Sequence, residues 1–118
     1  MILFNKTKNK KISEVDIADS YFKRLKGLMF KKNIERGLVF KVPESQHPLR
    51  SSIQMFFMRT SLDILFINEE NKIHEMVTLR AWNIYVPKKP AKYIVELKEN
   101  TITTKNIEIN DEIIIKCG

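Results

Sequence analysis

The run "LDILFI" at 62–67 is apolar on both faces, whichever way a strand through it is turned. Leu62, Ile64 and Phe66 share one side, and Asp63, Leu65 and Ile67 share the other. Such a strand has to be covered from above and below, so it belongs inside a layered or closed sheet. That makes its one charge conspicuous. Asp63, with Gln54, Arg59, Thr60 and Ser61, interrupts the apolar segment "IQMFFMRTSLDILFI" at 53–67. A carboxylate in such surroundings requires a cation or amide donors beside it.

Short strands are expected around this one. Residues 2–4 and 12–18 read as strands separated by a lysine-rich turn, and "LVFKV" at 38–42 as another that ends at Pro43. The segment 53–58 is strand-like. "NEEN" at 68–71 is a polar turn leading to a strand over 72–79. "AKYIVELK" at 91–98 alternates, with Tyr93, Val95 and Leu97 on one face, and "IEINDEIIIK" reads as a hairpin around Asn110 and Asp111. "DSYFKRLKG" at 19–27 reads as a short helix, capped by Asp19 or Ser20 and stopped by Gly27 in a left-handed conformation. No linker or repeat divides the chain. The expected fold is therefore mainly β with one or two short helices, a compact, small barrel-like α+β domain spanning 1–118.

Composition narrows the function classes. No apolar run approaches the length needed to cross a bilayer, and "MILFNKTKNKK" has too few apolar residues for a signal peptide, so a cytoplasmic protein with no membrane partner is expected. Cys117, His47 and His74 occur singly, without metal-ligand spacing, so neither metal nor cofactor is expected. The net charge of +7 is uneven: thirteen Lys and Arg stand against five Asp and Glu in 1–59, and eight against nine in 60–118. A basic half can face a nucleic acid, although Lys6, Lys8, Lys10 and Lys11 are not interleaved with aromatic residues.

With "NEEN" as the loop, Leu62 would face Val77, Asp63 would face Met76 and Leu65 would face His74. Asp63 and His74 would then be diagonal neighbours on one face. Asp63 either pins the bend before its strand or lines a small polar pocket with Arg59, Thr60 and His74 or Gln54, and Arg59 or Arg24 is a candidate partner for it. Glu96 is either a surface or ion-paired residue or the second carboxylate of an acid–base pair with Asp63. Trp82 and Tyr85 form either an aromatic ledge or a packed lid.

Three ordered blocks resemble one bacterial and archaeal family, domain of unknown function 192, also called uncharacterised protein family 0127. They are "RLKGLMF" at 24–30, "MFFMRTSLDILFI" at 55–67 and "AKYIVELKEN" at 91–100. Arg24, Gly27, Leu28 and Met29 match the first family block, Met58, Thr60, Leu62 and Asp63 the second, and Glu96 and Leu97 the third. The resemblance implies a compact β-rich fold and brings no established reaction, cofactor or catalytic residue. Asn100 and Asn110 stand where many members have glycine; asparagine tolerates the left-handed region, so both turns can survive. Gln54 stands where archaeal-type members often have histidine, which counts against a shared histidine-dependent chemistry.

The leading expectation is a non-enzymatic domain that binds an unidentified small molecule or protein through a polar site around Arg59, Thr60 and Asp63. Arg24, Gln54, Met58, His74 and Glu96 complete the candidate set. The alternatives are a small enzyme using Asp63 with His74 or Glu96 as acid and base, and a nucleic-acid-binding protein using the basic N-terminal half.

Overall fold

Strand β5 (Leu62–Ile67) is buried at every position, as its two apolar faces require. The computed structural model describes residues 1–19, 27–44 and 46–117. Around β5 lie β1 (Ile2–Asn5), β2 (Lys10–Ala18), β3 (Gly37–Lys41), β6 (Ile73–Leu79), β8 (Tyr93–Lys98) and β9 (Ile113–Lys116). They form one seven-stranded sheet in the order β6-β5-β8-β3-β2-β1-β9; β2 and β3 run parallel and all other pairs antiparallel. Two short strands, β4 (Ile53–Gln54) and β7 (Ile84–Tyr85), pair separately. The fold is mostly β, its sheet curled into a half-barrel, with one short α-helix, α1 (Thr101–Thr104), and a 3-10 turn at Pro48–Ser51 among the described residues. No described helix is long and apolar enough to cross a membrane.

The curl brings the two edge strands together at one end. Lys72 and Glu112 form an isolated antiparallel bridge. Ile73 N–H donates to Asp111 O (3.1 Å), and Ile113 N–H to Asn71 O (2.8 Å). Side chains on the inner face form a core that draws on all seven strands, from Leu3, Val15 and Val39 to Leu65, Ile73, Val95 and Ile113. A second core covers the other face of β3, β5, β6 and β8, where Phe40, Ile64, Phe66 and Ile94 meet Leu28, Met55 and Met58 from loops. Both faces of β5 are thus sealed, one by the curl and one by loops.

The lysine-rich turn after β1 is paired in space with the acidic end of the chain. Lys8 bonds Glu108 and lies 3.4 Å from Asp111, and Lys6 lies 3.6 Å from Glu112. Buried Asn5 donates to Asp111 Oδ2 (2.8 Å), which also accepts from Glu108 N–H (2.9 Å). Burial works to raise the Asp111 pKa, but these donors and the Lys8 ammonium outweigh it and hold the carboxyl below its usual range. A depressed folded pKa stabilises above the unfolded value and is lost as pH falls through the folded one. The thermal midpoint should therefore decline as pH drops below about 4, and Asp111→Asn should flatten that acid limb in a calorimetric pH series.

Three expectations are corrected. The β5–β6 register places Leu62 opposite Leu79 and Asp63 opposite Thr78, two residues along from the expected pairing. A bulge lies beyond Phe66, where Phe66 faces Glu75 but Ile67 faces Ile73, so His74 is the extra residue. The segment 53–58 is a strand only over Ile53–Gln54 and then turns, with Met58 N–H donating to Met55 O (3.3 Å). The end of the chain is not a local hairpin: β9 pairs with β1, from Ile2 opposite Lys116 to Asn5 opposite Ile113. Most of the helix expected over 19–27 lies outside the described residues; Gly27 itself is left-handed at φ 49°. Asn100 and Asn110 are left-handed at 75° and 74°, as their replacement of family glycines implies.

Candidate functional site

Asp63 spends its charge on the fold. It is 1% exposed, on the inner face of β5. The Thr78 hydroxyl donates to its Oδ1 (2.7 Å), and Ile102 N–H donates to its Oδ2 (2.9 Å). Asn100 precedes α1 without a side-chain cap, so Asp63 serves the first turn from across the sheet. It thereby ties β5, β6 and α1 together.

The other expected partners of Asp63 lie elsewhere. Glu96 faces Ile64 on the neighbouring strand, whereas Asp63 faces Leu97, so the two carboxylates point to opposite sides of the sheet. The His74 ring stands 6.4 Å from that of Phe66, which belongs to the outer core. His74 Nε2 is buried without a hydrogen-bond partner. Burial pushes the imidazole pKa down, the Glu75 carboxylate works against that, and Lys89 adds to the lowering. Arg59 is exposed, and the Thr60 hydroxyl donates to Ser61 O (3.3 Å). Arg24 lies outside the described residues. Tyr85 and Trp82 divide the two aromatic expectations. Tyr85 packs on Phe66 at 5.8 Å and donates its hydroxyl to Glu75, which with burial raises its pKa to about 12. Trp82 is exposed.

Three of the expected residues do converge. Gln54, Met58 and Glu96 line an open cleft of about 590 Å³ on the outer side of the sheet. Its wall is built from Phe40 of β3, Leu62 of β5, Leu28 and the two methionines, Met55 and Met58, that bracket a tight turn. Glu96 enters from β8 and is only 6% exposed. Lys41 and Arg50 are exposed residues of the same lining. Gln54 Oε1 accepts from Phe56 N–H (2.7 Å), which fixes the approach to the turn. The cleft offers one buried carboxylate, Glu96, in an apolar wall, with exposed Asp19 and the two cations at its margin. Sequence reasoning missed Phe40, Met55 and Arg50; the three-residue spacing of Met55 and Met58 was the only available signal. Among the described residues, no three His, Cys, Asp or Glu side chains gather as a metal site.

The sequence profile of DUF192, described as "Uncharacterized ACR", matches residues 3–115. The chain belongs to DUF192. A UPF0127 protein of Thermococcus sibiricus is 44% identical over 113 residues, covering 95% of this chain and 73% of that one. A second, from Pyrococcus furiosus, is 38% identical over 112 residues and covers 94% and 95% of the two chains. The DUF192 fold is also similar to a crystal structure of a protein of unknown function from Novosphingobium aromaticivorans. That likeness has a TM-score of 0.79 at 16% identity, over 97% of this chain and 82% of that one.

Proposed function

We propose that this DUF192 protein is a non-enzymatic binding domain and that the 590 Å³ cleft is its small-molecule site. The observation that carries the reading is Glu96, a buried carboxylate lining an open and largely apolar cleft. A carboxylate accepts through two oxygens, so it can take a ligand donor alongside a protein partner. The matching ligand has an apolar body and a hydrogen-bond-donating, cationic head. A second hollow of about 240 Å³, bordered by Leu3, Val39, Ile67 and Tyr93, has no charged group in its lining and lacks this means of selection. The polar bend at Arg59 and Thr60 contributes nothing to the cleft lining, and Asp63 is engaged by the fold.

The acid–base reading has less support, because Asp63 and its two suggested partners lie on different sides of the sheet. The nucleic-acid reading loses part of its basic half to ion pairs, in which Lys6, Lys8 and Arg36 meet carboxylates.

n-Octylammonium and octanoate probe the cleft with one tail and opposite heads. Octylammonium should raise the melting temperature and octanoate should not. Glu96→Gln should weaken octylammonium binding about tenfold, the worth of one charge-assisted hydrogen bond. Equal binding of both probes, unchanged in Glu96→Gln, would remove the case for Glu96.

A further inference from the structure

Eight described residues other than glycine have a left-handed backbone. Five are asparagines, which tolerate it; the other three are Phe30 (φ 64°), Phe57 (62°) and Trp82 (71°). For bulky side chains this conformation is costly and persists only where surrounding structure imposes it. All three sit at one place, on the tips of adjacent turns. Phe30 N–H donates to Phe57 O (3.1 Å), Trp82 N–H to Met55 O (2.6 Å) and Met55 N–H to Asn83 O (2.7 Å). The strained backbone holds the rings out in water, 62%, 50% and 57% exposed. They pack into a row: Phe30 on Phe57 at 5.6 Å, Phe57 on Trp82 at 4.9 Å, and Trp82 on Phe56 at 6.2 Å.

Each turn also carries cations. Lys31 and Lys32 follow Phe30, Arg59 follows the Phe57 turn and Arg80 precedes Trp82. All four are exposed, and the segments 27–32, 55–59 and 80–84 contain no acidic residue. Among the described residues none of the four is in an ion pair.

We infer that this aromatic knob docks the protein on the surface of an anionic bilayer. The charge pattern fits: unpaired cations beside the rings meet lipid phosphates while tryptophan and phenylalanine enter the headgroup region. A single-stranded nucleic acid would need separate ring faces on which bases stack. Here the exposed rings are packed against one another, which suits a hydrocarbon boundary better than a base stack. The inference stands on the knob and not on the cleft.

Trp82 is the only tryptophan in the chain and reports directly on the knob. The full chain is mixed with phosphatidylcholine vesicles, with and without phosphatidylglycerol, and followed by sedimentation and Trp82 emission. Co-sedimentation and a blue shift are expected with the anionic vesicles. Arg59→Gln and Arg80→Gln should each weaken binding about fivefold. Phe57→Asn combined with Trp82→Asn should abolish sedimentation without lowering the melting temperature, because asparagine accepts the left-handed backbone. Glu96→Gln should bind vesicles as the parent does, which keeps this test separate from that of the cleft. No binding to anionic vesicles, or binding unchanged in both arginine variants, overturns the inference. So does quenching of Trp82 by oligothymidylate in a protein that ignores vesicles.

Discussion

Asp63→Ala should lower the unfolding free energy by about 3 kcal/mol or more, since it removes two charge-assisted hydrogen bonds at a buried site. The loss is not confined to the bonds themselves. Thr78 lies opposite on β6 and Ile102 is in the first turn of α1, so the substitution frees the helix from the sheet and leaves the Ile102 N–H without its acceptor. Asp63→Asn should cost less, about 2 kcal/mol, because an amide keeps one acceptor oxygen and turns two donor hydrogens toward a place that needs an acceptor. Urea unfolding followed by circular dichroism measures both. The midpoint should fall with little change in slope. Octylammonium affinity of the folded Asn variant should match that of the parent, because Asp63 lies on the side of the sheet away from the cleft. A variant of full stability that lost the ligand would reverse the assignment and make Asp63 a binding residue.

Gly37→Ala should destabilise by about 2 kcal/mol, in the range of core overpacking. Gly37 begins β3, between Val15 of β2 and the β8 backbone. A Cβ there would stand 2.8 Å from Glu96 O, 2.8 Å from Leu97 Cδ2 and 3.2 Å from Val15 Cγ1. A side chain can rotate away, but the Glu96 carbonyl cannot yield without moving β8. The substitution therefore presses on the backbone of the very residue that charges the cleft. We expect a lower urea midpoint together with displaced amide resonances at Glu96 and Leu97. An unchanged midpoint would mean that β3 and β8 are less tightly apposed than these distances imply.

What could be read from the sequence depended on the range of the interaction. Strand β5 was legible because its apolar faces constrain it locally, and β8 because Tyr93, Val95 and Leu97 alternate with buried Ile94 and Glu96. Alternation also assigned Asp63 and Glu96 each to a face of its own strand. It could not say which strand neighbours which, so the pairing of the two carboxylates was open until β5 and β8 were seen side by side. Register failed for a related reason. The turn is one residue longer than "NEEN", so that Ile67 faces Ile73, and the bulge adds one more; neither leaves a compositional trace, yet the shift carries His74 to the face of Phe66. The turn at 55–58 was hidden because no glycine or proline marks it; its left-handed residue is Phe57, which pattern reading takes for a strand residue. The candidate site was half legible. Gln54, Met58 and Glu96 were named in advance, whereas Phe40 and Arg50 reach the cleft only through tertiary folding.

The pairing of β1 with β9 sets an order of events during synthesis. The first strand finds β2 within a few residues of leaving the ribosome, but its other flank stays unsatisfied until residues 113–116 emerge. Until then the nascent chain has two unsealed borders, β1 and β6, and an interior lacking Ile113. Closure thus waits for residues 113–116, and a stop before Ile113 would release a polypeptide whose naked backbone edges invite self-association.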